Sequence, residues 1–167
     1  MMFKKVLCLM AALVLVSACD STSSGSGDGS AAGGSGVGGP GGKMGAARPG
    51  TQEDMVVNVG DRVFFAYNES DLSAEARATL DRQAAWLKKY AAANITVEGH
   101  CDERGTREYN LALGERRAVA VKNYLVADGV AAGRVRTVSY GKERPAVLGS
   151  NEAAWAQNRR GVTVVGQ

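Results

Sequence analysis

ITVEGHCDERGTREYNLALGERRAVAVKNYLVADG, residues Ile95–Gly129, carries two different periods in succession. Ile95–Gly99 alternates apolar and polar, with Ile95 and Val97 on one side, which predicts a strand ending at Gly99. From about Glu108 to Asp128 the residues Leu113, Ala120, Val121, Tyr124 and Leu125 recur at helical spacing, and Gly129 is the expected stop. The polar loop HCDERGTRE joins the two. Strand, polar loop and long helix together open an α/β unit.

Working outward, VVNV (Val56–Val59), then Gly60-Asp61, then RVFFAY (Arg62–Tyr67) reads as two extended pieces around a turn. Ser73 is a good N-cap with Glu75 in the first turn. A helix should follow to about Ala92, burying Ala76, Leu80, Ala84, Leu87 and Ala91, with Trp86 and Tyr90 flanking that stripe. After Gly129 come RVRTVSY (Arg134–Tyr140) as a strand, a Gly/Pro-marked loop Gly141–Gly149, a short helix near Asn151–Asn158 and a last strand Val162–Val165. Residues 55–167 thus make one domain of ordinary size, a small two-layer α/β sandwich.

The first 54 residues read differently. MMFKK is a basic start, and Val6–Val16 is an apolar run. Eleven such residues are too few to cross a hydrocarbon core about 30 Å thick, so residues 1–18 read as a signal peptide. Val16-Ser17-Ala18-Cys19 resembles the bacterial lipobox, which implies cleavage before Cys19 and acylation of that cysteine. Residues 19–54 would then be the anchor and a tether. Asp20–Gly50 is built mainly from Gly, Ser and Ala, cannot bury enough to offset its ordering entropy, and is expected to be disordered, with an r.m.s. span of roughly 30–35 Å.

Charge and cysteines narrow the function. The net charge of +3, falling to +1 when Lys4 and Lys5 leave with the leader, is unlike that of a strongly basic nucleic-acid binder. Cys8 leaves with the leader and Cys19 carries lipid, so Cys101 stays alone and no intramolecular disulfide is expected. His100 and Cys101 invite a nucleophile reading, but neighbours leaving a strand tend to point to opposite faces. With no second His or Cys at ligand spacing, a metal site is not expected either. His100 is expected to hydrogen-bond the strand end, and Cys101 to be a small buried filler. No cofactor and no catalytic residue is assigned.

Thr96–Leu125 resembles the OmpA-like peptidoglycan-binding domain family. So do GDRVFFAYNESDLS (Gly60–Ser73), VSYGKERPAVLG (Val138–Gly149), NEAAWAQNRR (Asn151–Arg160) and VTVV (Val162–Val165). DERGTREYN and SYGKERPAVLG, with the lipobox, are similar to its lipid-anchored branch. The resemblance implies a mixed four-stranded sheet with helices on one face. It also implies non-covalent binding of the diaminopimelate in a peptidoglycan stem peptide. On that pattern Asp102 would take the ligand's ammonium and Arg117 a carboxylate through its planar fork. Leu113, one turn before Arg117, would give an apolar wall, Tyr67 and Asn68 would close the pocket, and Arg104 would belong to the same site. Asn68 departs from the family's Asp, and Cys101 from its Ala or Thr.

TolB and the other proteins of the Tol-Pal system are the implied protein partners, in envelope integrity and constriction at division. A module that binds TolB first and the wall second is the alternative, and a cell-wall hydrolase a further one. Asp20 directly after Cys19 matches an inner-membrane retention signal of enteric lipoproteins, yet the outer membrane, reached through acylated Cys19, is the expected location.

Overall fold

The computed structural model describes residues 47–166. The leader, Cys19 and most of the Gly/Ser tether lie outside them. The described chain runs α1 (Gln52–Asp54), a π-helical turn (Met55–Val59), β1 (Arg62–Phe64), α2 (Ala74–Lys89) and β2 (Ile95–His100). It continues with α3 (Arg107–Ala127), a 3-10 turn (Ala132–Arg134), β3 (Val135–Gly141), α4 (Glu152–Asn158) and β4 (Arg160–Val165). The four strands form one mixed sheet in the order β1-β4-β2-β3. β2 and β3 are parallel, with α3 as their crossover, and β4 lies antiparallel to both β1 and β2.

Helices α2 and α3 cover one side of the sheet. Leu80, Ala84 and Leu87 of α2 meet Ala118, Val121 and Leu125 of α3 over Val63, Ile95, Val97 and Val135 of the strands. On the other side Arg62, Phe64 and Arg136 are exposed and Thr96 and Glu98 half-buried. The alternation in β2 is therefore the expected one, with Ile95 and Val97 buried. Two predicted signals are in place: Ser73 Oγ caps the Ala76 amide, and Gly129 follows α3 with a φ of 92°; Thr106 Oγ1, not anticipated, caps the Tyr109 amide at the start of α3.

Three expectations need correction. VVNV is not a strand but most of the π-helical turn. Thr51 caps α1, Met55 is fully buried, and the Gly60 amide closes the turn on the Met55 carbonyl. Helix formation there follows from the cap and the buried anchor, which outweigh the β preference of three valines. The packed chain also begins before residue 55. Asp54 is buried and accepts the Trp86 indole N–H at 2.8 Å, while Gln52 Oε1 accepts the Val165 amide at 2.6 Å. Helix α2 stops at Lys89, so Ala91 is exposed beyond it.

The crossing of α3 over β2 fixes where the next loop emerges. A Cβ on Gly99 would sit 1.8 Å from the Gly114 carbonyl oxygen, so this approach needs two bare backbones. It brings the second turn of α3 directly beside the end of β2.

Candidate functional site

Where β2 ends, Cys101 and Asp102 enter the loop before α3, and the first three turns of α3 run back past them. Tyr109, Leu113 and Arg117 follow at four-residue steps on the same face. The segment after β1 folds over from the other side. Together Tyr67, Asn68, Cys101, Asp102, Arg104, Gly105, Tyr109, Asn110, Leu113 and Arg117 line one cleft, with about 330 Å³ of open space including its mouth. Every wall-binding candidate from the sequence is among them. Cys19, the lipidation candidate, lies outside the described residues.

Asp102 is buried, and burial alone would push its carboxyl up. Hydrogen bonds from Arg104 reverse this and hold it below the usual carboxylate value. Its Oδ1 accepts from the Arg104 amide (3.1 Å) and Nε (3.2 Å), and its Oδ2 from Arg104 Nη2 (2.6 Å). Arg159 Nη1 lies a further 3.5 Å from Oδ2. The Arg104 guanidinium is sandwiched, its carbon 4.0 Å from the centre of the Tyr67 ring and 4.0 Å from that of Trp155. Cation–π attraction on both faces and a forked ion pair at the edge fix its plane.

Arg117 is seated differently from the freely offered fork that the sequence suggests. It is fully buried at the base of the cleft. Its Nε donates to the Glu69 carbonyl (2.8 Å), Nη1 to that of His100 (2.8 Å) and Nη2 to that of Ala66 (3.0 Å). Arg117 therefore pins the loop after β1 to the end of β2. It still lines the cleft; Nη1 also lies 3.5 Å from Cys101 Sγ, so one Nη2 N–H is left without a partner among the described residues. Leu113, nearly buried, supplies the apolar wall beside it.

Asn68 stands at φ 60°, in the left-handed region that asparagine tolerates better than most residues. Its Oδ1 accepts the Tyr109 hydroxyl and closes one side of the mouth. An amide oxygen suffices for that bond. Exposed Tyr67, the residue before Asn68, also lines the cleft.

Cys101 is the buried filler expected, its thiol donating to the Asn110 carbonyl at 3.4 Å. Burial raises its pKa, the reverse of an activated nucleophile. His100 does not behave as expected. It is buried, yet neither ring nitrogen has a hydrogen-bond partner; Glu98 Oε2 lies 3.4 Å from Nε2, outside bonding geometry. Burial first, and the charge of Arg160 second, lower its pKa to about 4.

Sequence reasoning missed Tyr109 and Trp155. The four-residue step to Leu113 and Arg117 could have found Tyr109. Trp155 reaches the site from α4 through a fold-dependent contact, donating its indole N–H to Glu103 Oε1 at 3.1 Å. Arg159 supports the loops: it is buried and donates to the Phe65 carbonyl at 3.0 Å and to Glu152 at 2.7 Å.

Residues 64–159 match the model of the OmpA family. A peptidoglycan-associated lipoprotein of Rhizobium meliloti is 60% identical over 122 residues, covering 73% of this chain and 69% of that protein. One from Pseudomonas aeruginosa is 42% identical over 159 residues, 95% of this chain and 94% of that one. The crystal structure of the peptidoglycan-associated lipoprotein from Burkholderia pseudomallei superposes with a TM-score of 0.62 at 42% identity, covering 64% of this chain and 90% of that one.

Proposed function

This chain belongs to the OmpA family, and from that premise we propose that it tethers the outer membrane to the cell wall by gripping diaminopimelate in peptidoglycan stem peptides. The observation that carries the reading is the convergence of Asp102, Arg104, Arg117, Leu113, Tyr67 and Asn68 on one cleft. Acid, guanidinium forks and an apolar wall are what a short alkyl chain ending in an ammonium and a carboxylate requires. Residues 1–18 act as a leader, acylated Cys19 as the outer-membrane anchor, and the Gly/Ser stretch as reach.

The grip is non-covalent. Cys101 is buried with a raised pKa, and the His100 ring makes no hydrogen bond that could link it to the thiol as a base. TolB and the other Tol-Pal proteins are the protein partners in this reading. TolB competes with the wall for the rim that exposed Tyr67 and Tyr109 form, which couples attachment to constriction at division.

Incubation of the full chain with purified diaminopimelate-type sacculi tests the proposal. Co-sedimentation without released muropeptides is expected, together with a 10- to 100-fold weaker interaction for Asp102→Ala. Released fragments would make the protein a hydrolase, and undiminished binding to lysine-type wall would overturn the pocket assignment.

A further inference from the structure

Asp102 is the one acid among the residues lining the cleft, and a side chain of the same protein already holds it. Three Arg104 donors engage its two oxygens, at 2.6–3.2 Å. The guanidinium that makes two of these bonds cannot slip aside freely, because Tyr67 and Trp155 clasp it from both faces. The place where Asp102 would meet a ligand's ammonium is therefore occupied before any ligand arrives.

We infer that Arg104 is an internal occupant of the Asp102 cation site. The cleft thereby selects a ligand carrying an ammonium and a carboxylate together over one carrying the ammonium alone. The inference rests on the wall-binding reading and names what that site discriminates. An amine by itself can only replace one cation by another at Asp102. It strips Arg104 of its counter-charge and adds a positive charge to a cleft that already contains Arg104 and Arg117 around a single acid. An ammonium–carboxylate end brings its own anion. Its ammonium takes over Asp102, while its carboxylate receives the freed Arg104 fork and the one Arg117 Nη2 N–H not held by the protein. Charge stays balanced throughout the exchange, and no buried ion is left alone. The aromatic clasp holds the Arg104 plane in place while its edge turns from Asp102 to the incoming carboxylate, so Trp155 and Tyr67 act as positioning residues for the exchange. The low pKa of Asp102 accords with its being ion-paired without ligand.

The test uses the purified full chain and two soluble muropeptides that differ only in diaminopimelate against lysine, titrated calorimetrically. Wild type should prefer the diaminopimelate form at least tenfold. In Arg104→Ala the lysine form should bind several-fold more tightly than to wild type and the diaminopimelate form more weakly, so that the preference collapses. Arg104→Gln, which retains a donor to Asp102, should show the same collapse if the alanine variant fails to fold. Equal weakening of both ligands would make Arg104 an ordinary contact and overturn the inference, as would no change in either.

A ligand-free arm follows the Asp102 carboxyl carbon by NMR through an acid titration. Its pKa should rise in the Arg104 variants, and an unchanged value would refute the occupancy. If that pKa rises while wild type binds neither muropeptide, the wall-binding reading fails and selectivity with it, but Arg104's hold on Asp102 stands.

Discussion

Gly99 and Gly114 cross with no room for a side chain on either. A Cβ on Gly99 would meet the Gly114 carbonyl at 1.8 Å, and one on Gly114 would meet Ser139 Oγ at 2.3 Å and the Gly99 carbonyl at 2.9 Å. Backbone cannot yield as a side chain can, so Gly99→Ala should be the harsher change, destabilising by about 3 kcal/mol or more. Gly114→Ala should be milder, and Ser139→Ala should partly rescue it. Thermal denaturation of the three variants decides the order.

Arg117 combines the proposed binding role with a structural one. Replacing it by Ala strands the carbonyls of Ala66, Glu69 and His100 without their donors. The expected loss of stability is about 3 kcal/mol or more, alongside the loss of wall binding. Arg117→Lys should recover little of either, since one ammonium cannot span three carbonyls that a planar fork reaches together. Urea unfolding and sacculus co-sedimentation, measured on the same preparations, read the two effects separately.

His100 should make the fold acid-sensitive in a defined window. Its folded pKa, about 4, lies below the ordinary 6.5, so the unfolded chain takes up the proton first as pH falls. The neutral ring's contribution is complete above pH 6.5, declines between 6.5 and about 4, and levels off below. The total decline from this group should be about 3 kcal/mol. Asp102 and Asp54, whose pKa values are depressed below the ordinary carboxylate value, keep their contributions through that window and lose them only in stronger acid. Urea denaturation at pH 7.5 and pH 4.5 should show the decline in wild type and much less of it in His100→Phe.

Asp54 should count as part of the fold. Asp54→Ala removes the acceptor of the Trp86 indole and of the Asn58 amide, and should lower the melting temperature by several degrees. A chain cut before Met55 should be less stable than one cut before Ala47. Equal melting temperatures for the two would show that α1 adds nothing.

What could be read in advance depended on the range of the forces involved. The change of period between Ile95–Gly99 and the helix that follows is local, and β2 and α3 appear where it places them. The cap at Ser73 is local too. VVNV misled because its three valines favour a strand, whereas its conformation is set by Thr51 before it and by the burial of Met55. Arg117 was legible as a site residue through family resemblance but not as a buried one. A charge on a helix reads as solvated until the loop carbonyls that receive it are known. Trp155 has no signal near Arg104 in the sequence, because only the turn from α4 back toward the β2–α3 loop makes them neighbours.

The packing of α1 decides how the domain bears mechanical load. A pull arriving along the chain ahead of residue 47 enters the folded body at Gln52–Met55. There it meets the side-chain bonds to Val165 in the last strand and to Trp86 in α2, with the buried Met55 behind them. These contacts must part before tension can reach β1 and, through it, the Tyr67–Asn68 rim of the cleft. The cleft is thus shielded from a pull on the chain ahead of it, and the first contacts to yield under strain are those of α1, not those of the Tyr67–Asn68 segment.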